Sequence, residues 1–339
     1  MNKIFRQTLG LLSVAAAMSF TSCDSMLHDE TTECPEGMVI QLVPKYAART
    51  SFEAELTDVH IFIYNDKNAL VDELKVDGAK LAQNGWQVEV NNMADGNYHL
   101  VVWNGLADTE NYTERDAAVT LNVDADNVTN TAFAPLWHGK ATDIKVEPLT
   151  QTHVTVPMVK DTNNFVIYIC STNGDVLMPG DFDLNITSAN GLLDADNNVL
   201  DGPTITYNDY DTAAESIQGY LDADIVPLDD MGYIPVIRSN INTLRLTEEH
   251  PSYLTVSGHY NHQHIITLNL NDYILKAFRS IPSNETITNQ VYFDTEDLYN
   301  ITLFVTPREN KADTSQGIYI VSYIRVNDWI LRIQHADLW

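Results

Sequence analysis

The feature that most limits what this chain can fold into is a two-residue alternation of apolar side chains, repeated in short runs from residue 37 onward. In TDVHIFIY (57–64), Val59, Ile61 and Ile63 fall on one face and His60, Phe62 and Tyr64 on the other. Successive side chains of a strand point to opposite sides, so this period is that of a strand and not of a helix. Similar runs, rich in β-branched and aromatic residues, are 38–43, 70–76, 86–90, 98–103, 119–123, 144–146 and 153–156. Turn formers such as Asn65-Asp66, Asn84-Gly85 and Asp95-Gly96-Asn97 separate them. Strands at this spacing predict an all-β sandwich rather than alternating βα units.

A second series follows at 165–170, 182–187, 205–207, 233–237, 244–246, 253–256, 264–270, 299–306, 318–326 and 329–333. Between the two series lies the polar stretch PMVKDTNN (157–164), which reads as a break between domains. The chain is 339 residues long, which suits two domains of about 150 residues each. The expected division is a sandwich over 37–158 and a second over 159–339. Residues 208–232 are acidic and poor in apolar side chains, and read as a long surface loop. Only DYILKAFR (272–279) has helical spacing.

The first 36 residues are of a different kind. Lys3 and Arg6 precede an apolar stretch over 9–20, and small residues lead to Cys23. This is a signal peptide over 1–22, too short to span a bilayer. Phe20-Thr21-Ser22-Cys23 resembles a bacterial lipobox, in which the cysteine thiol is acylated after cleavage; Phe20 stands where Leu is usual. The alternative is a plain secretory signal with an incidental Cys23. Residues 23–36 are polar and acidic and read as a lipidated tether. Cys34 and Cys170 then remain, and either join in a disulfide or leave Cys170 as a buried thiol at the end of the run 165–170.

Charge excludes one class of partner. With 19 basic against 47 acidic residues the net charge is −28, and loss of Lys3 and Arg6 leaves 17 basic residues and −30. Nucleic-acid binding needs a Lys/Arg-rich surface, so no nucleic-acid partner is expected. The same surface would not seek an anionic membrane, which makes acylation at Cys23 the expected route to one.

The order of segments resembles the FimB-like lipoprotein anchor subunits of Bacteroidota type V fimbriae. It runs from Cys23 through VHIFIY (59–64), YHLVVWN (98–104) and LWHG (136–139), then MVKDTNN (158–164), LNLNDYI (268–274) and IRVNDW (324–329). FDTEDLY (293–299) departs from it, because the family tends to carry a basic residue there. The resemblance covers nearly the whole exported chain. It implies two transthyretin-like sandwich domains and palmitate on Cys23. It also implies an outer-membrane, surface-exposed location in the fimbrium, and strand-edge contact with other fimbrial subunits. In related stalk subunits a protease cuts after an arginine in the first domain; Arg49-Thr50 is weighed for this role and set aside, since anchors are expected to keep the first strand. Asp24-Ser25-Met26 and Asp211-Thr212-Ala213 look like O-glycosylation acceptors of that phylum, at Ser25 and Thr212.

No enzyme motif is present: no Gly-x-Ser-x-Gly, His-Glu-x-x-His, phosphate-binding Gly-Lys-Ser/Thr or Gly-x-Gly-x-x-Gly. Neither catalytic residues nor a cofactor is expected. HYNHQH (259–264) brings His262 and His264 to one face, but no cysteine or carboxylate stands at ligand spacing, so a solvated turn is expected. DADNN (194–198) matches the start of a calcium loop yet lacks its Gly and Glu, with Val199 and Ile205 in their places, and reads as a hairpin turn. No metal site is expected. The sequence thus favours a structural anchor, with subunit contact through an edge near 318–339. The alternative is an adhesin or glycan-binding module, for which Trp86, Trp137 and Trp339 are candidate platforms.

Overall fold

The computed structural model describes residues 37–46, 52–218, 229, 231–260, 262–281, 286–308, 318–327 and 329–332. The expected signal peptide, Cys23, Ser25, Cys34, Arg49-Thr50 and Trp339 lie outside the described residues. The chain is all-β with four short helices among the described residues.

The first half runs β1 (Gly37–Pro44), α1 (Phe52–Glu55), β2 (Asp58–Asn65), β3 (Leu70–Asp77), α2 (Gly78–Gln83), β4 (Gln87–Asn91) and β5 (Gly96–Asn104). It continues through β6 (Tyr112–Arg115), β7 (Ala118–Leu121), β8 (Val128–Thr129), β9 (Trp137–Val146) and β10 (Gln151–Lys160). The second half opens with β11 (Thr162–Ser171), β12 (Phe182–Ser188), β13 (Leu192–Leu193), β14 (Ile205–Asn208), β15 (Asp211–Gln218) and β16 (Tyr233–Leu244). It closes with β17 (Tyr253–Gly258), β18 (His264–Asn269), α3 (Leu270–Arg279), α4 (Asn289–Thr295), β19 (Leu298–Arg308), β20 (Ile318–Val326) and β21 (Trp329–Arg332).

A seven-stranded sheet has the order β3-β2-β5-β9-β10-β1-β4, and a six-stranded sheet the order β15-β16-β11-β19-β20-β21. Each contains one parallel pair, β1 with β10 and β11 with β19, among antiparallel neighbours. A five-stranded sheet, β18-β17-β12-β14-β8, and a three-stranded one, β13-β7-β6, complete the structure. These two smaller sheets mix strands of both halves: β8 pairs with β14 and β7 with β13.

The alternation read in β2 is the alternation of its packing. Val59, Ile61 and Ile63 are buried in a core with Met38, Ile40, Leu100, Val102 and Trp137, while Phe62 faces a second core. Neighbouring β5 is buried on both sides, which explains its unbroken apolar run. The second core holds Phe62, Val101, Trp103 and Val119 from the first half together with Phe165, Ile167, Leu254, Leu303 and Ile324 from the second. Residues 35–339 accordingly form one compact unit.

Two expectations change and one holds. The stretch 157–164 is not a loop: β10 and β11 are separated by Asp161 alone, and residues 160–163 are all buried. Residues 211–218, expected within a loop, form β15, because Arg238 of β16 reaches Asp211 at 2.9 Å and Glu215 at 2.6 Å and holds the acidic strand in place. The expected helix at 272–279 is α3, whose N-cap Asn269 accepts from the Asp272 amide. Helices α1, α2 and α4 accompany it without an amphipathic period in the sequence to announce them.

Candidate functional site

Two features of the fold bear on function: the outermost strands of the large sheets and a charged junction between the halves. Among the described residues β3 and β4 flank the seven-stranded sheet, and β15 and β21 the six-stranded one. An edge strand offers unpaired backbone groups to another chain, and charged side chains discourage that pairing. β3 carries Asp72, Glu73, Lys75 and Asp77, and β15 carries Asp211 and Glu215. β21, with the sequence WILR, carries no acid and a single Arg. Its register is set by a tight hairpin in which Val326 pairs with Trp329. Asn327, at φ 51°, holds that turn to β19: its amide donates to the Asn300 carbonyl at 2.7 Å, and its Oδ1 accepts from the Asn300 amide at 3.0 Å.

The junction centres on Lys160 and Asp161, where β10 of one large sheet gives way to β11 of the other. Lys160 Nζ donates to Asp297 Oδ2 at 2.7 Å and to Glu55 Oε1 at 2.9 Å. Asp161 is fully buried, and its Oδ1 accepts from Asn197 Nδ2 at 2.9 Å with Arg245 Nε 3.7 Å away. Burial pushes the Asp161 carboxyl up to about 7, against the opposing pull of Arg245 and Asn197. Arg245 is itself bound to Asp294 at 2.7 Å and to the Asn197 carbonyl. His138 completes the group. Its ring meets Trp103 edge-on at 4.6 Å, its Nε2 lies 3.1 Å from the Ala195 carbonyl, and burial lowers its pKa to about 4. The imidazole is therefore neutral at ordinary pH and donates from Nε2. Beside Arg245 opens a cleft of about 320 Å³ with Asn197, Glu248, Glu249, His250 and Gln290 in its wall.

The sequence comparisons decide the family. The profile described as "fimbrillin-A associated anchor proteins Mfa1 and Mfa2" matches residues 30–335, from ahead of β1 to beyond β21. The chain belongs to this family of fimbrial proteins. It is 21% identical over 218 residues to the minor fimbrium anchoring subunit Mfa2 of Porphyromonas gingivalis, a match covering 58% of this chain and 65% of that relative. The match therefore spans less than two thirds of the relative's length. The solved structure of the fimbrial anchor Mfa2 from P. gingivalis superposes with a TM-score of 0.62 at 17% identity, over 89% of this chain and all of that one. A candidate adhesin from Bacteroides thetaiotaomicron gives a TM-score of 0.75 at 23% identity, over 90% of this chain and all of that one. At these identities the structural likeness establishes the fold.

The residues singled out in the sequence fall at separate places on this Mfa1/Mfa2-type fold. Trp137 is a core residue, 2% exposed, with its Nε1 donating to Glu55 Oε2; it cannot serve as an exposed glycan platform. Trp86, at φ 66°, is partly buried against the first core. Thr212 lies in β15 rather than in a loop, and its hydroxyl is engaged with Asp209 and, at 2.8 Å, with Ser239. Cys170 is buried with Ile234, Val236 and Phe304, its Sγ 3.9 Å from the Leu303 carbonyl. His259 Nδ1 lies 2.6 Å from Asp183 and His264 Nε2 2.9 Å from Thr267, in and beside the turn from β17 to β18. Asp194 Oδ1 accepts from the Asp196 and Asn198 amides, both at 2.8 Å, which makes 194–198 an Asx-type turn. Among the described residues no three His, Cys, Asp or Glu side chains converge as a metal site would require. The charged junction itself escaped the sequence reading, because its members are scattered from Glu55 to Asp297.

Proposed function

We propose that the chain is the lipid-tethered terminal subunit of a fimbria, which ties the fibre to the outer membrane and limits its length. The observation that carries this reading is the anchor-family match over 30–335, which starts a few residues after Cys23. In this reading Cys23 is acylated, residues 23–36 are the tether, and the body stands at the cell surface. The halves 37–158 and 159–339 are two transthyretin-like sandwiches that share a core, the boundary lying near the end of β10. Contact with the neighbouring subunit is made through β21, which alone among the four strands flanking the large sheets in the described residues carries no acid. Strand addition at such an edge draws affinity from main-chain hydrogen bonds. O-glycosylation at Ser25 or Thr212 is compatible with this role, but at Thr212 it would displace the bonds to Asp209 and Ser239.

Deleting the gene tests the proposal. Assembled fibres, longer than normal and shed into the medium, are expected. Loss of fibre assembly would instead indicate an assembly-initiating or tip subunit. Cys23→Ser should move the protein from the membrane to the soluble exported fraction. Failure of the wild type to incorporate a labelled fatty acid would remove the lipid tether from the proposal.

A further inference from the structure

Lys160, Asp297 and Glu55 form a largely buried contact at the passage from β10 to β11. The Lys160 side chain is 5% exposed, Asp297 8% and Glu55 15%. Lys160 Nζ stands between the two carboxylates, 2.7 Å from Asp297 Oδ2 and 2.9 Å from Glu55 Oε1. The second oxygen of Glu55 is fixed by Trp137 Nε1 at 3.0 Å. The Trp137 ring lies 5.9 Å from the lysine nitrogen and is itself packed edge-on against Phe52. Asp297 is held from the other side, where its carbonyl accepts the Asn164 amide at 2.8 Å. An amine, an acid to react with it and a second acid to move protons are thus brought together in a site largely closed to water.

We propose that this is a self-modifying site, at which the Lys160 amine condenses with the Asp297 carboxyl into an intramolecular isopeptide bond while Glu55 carries the proton. In the first step one ammonium proton passes to Asp297 along the 2.7 Å contact. The transfer leaves a neutral amine and a carboxylic acid with no change in net charge. Bond geometry then puts the nitrogen roughly 3–3.5 Å from Asp297 Cγ, the separation of a near-attack arrangement. The nitrogen lone pair forms the C–N bond, and the proton it sheds passes to Glu55 Oε1. Glu55 returns that proton to the departing hydroxyl, the C–O bond breaks, and one water leaves. The balance is one amide and one water, with Glu55 unchanged and nothing oxidised or reduced. A cavity of about 10 Å³, lined by Tyr46, Trp137 and Thr295 as well as the reacting pair, is the size of that water.

The product would fasten the end of β10 to the start of β19, closing a span of 137 positions between the two large sheets. The proposal does not rest on the anchor reading and would hold for any role the chain plays in a fimbria.

The test is peptide mapping of the purified full-length protein after denaturation and trypsin. Condensation should block cleavage at Lys160 and join fragment 146–238 to fragment 280–308, at a mass about 18 Da below their sum. Fragmentation across the link identifies Lys160 and Asp297. Recovery of 146–160 as a separate peptide, with no joined species, would overturn the proposal on the wild-type protein alone. Lys160→Arg keeps the charge and should abolish the link. Glu55→Gln should also abolish it while circular dichroism stays that of the wild type; a link formed as completely in Glu55→Gln would remove the proton-carrying role from Glu55.

Discussion

Asp161 and His138 are buried in the same charged group, and their protons pull stability in opposite directions. A carboxyl whose pKa rises to about 7 on folding binds its proton more tightly in the native state, so its ionisation costs stability as pH climbs from about 4 to about 7. An imidazole lowered to about 4 resists protonation when folded, so stability is lost as pH falls from about 6.5 toward 4. The two slopes oppose each other over the shared window, and above it the Asp161 cost stands alone. We expect Asp161→Asn, followed by chemical denaturation from about pH 4 to about pH 8, to gain on the wild type as pH rises, by at most about 4 kcal/mol. Stability curves that run parallel across the range would contradict the burial argument. These residues also show where composition misleads. PMVKDTNN looks like a linker because its side chains are polar, yet Lys160 and Asp161 are buried, since carboxylates 105 and 137 positions away pair with Lys160 and Asn197, 36 positions away, donates to Asp161. No local window of sequence contains those partners.

At the scale of elements, what could be read in advance was what is buried on a two-residue period. The runs at 38–43, 59–64, 98–103, 165–170 and 299–306 became β1, β2, β5, β11 and β19, central strands whose apolar faces specify them. Strands that escaped notice have little such face: β8 and β13 are two residues long, and β15 is mostly exposed and fixed by Arg238. Helices α1 and α4 are too short to show a period of 3.6 residues, and α2 depends on its N-cap Asp77, which accepts from Ala79 at 2.9 Å. The β20–β21 hairpin carries the proposed subunit contact and admits a direct test. Successive N–H groups of a strand point to opposite sides, so of Ile330→Pro and Leu331→Pro one removes an outward donor and the other a rung to β20. The outward variant should lose binding to purified fimbriae with its melting temperature unchanged, and the inward variant should melt lower. Undiminished fimbrial binding by both would move the contact to another edge.

For the molecule as a whole, the decisive feature is the core that Phe62 and Trp103 share with Phe165 and Leu303. Because β7 and β8 also pair with strands of the second half, the two halves cannot come apart without breaking sheet. Unfolding followed by tryptophan fluorescence and by far-UV circular dichroism should therefore give coincident transitions; two separated transitions would show that the halves fold independently. A further consequence concerns β1. It lies inside the seven-stranded sheet, with eight residues paired in parallel to β10 and five paired antiparallel to β4. Its first residue, Gly37, sits at φ +125°, where a Cβ would come within 2.0 Å of the Val90 carbonyl oxygen. Traction applied to the chain ahead of Gly37 acts along this strand, so the rungs on both sides share the load in shear instead of parting one by one from an end. In the tethered arrangement proposed above, a fibre dragged by flowing liquid would strain the subunit along the direction in which its first strand yields least readily.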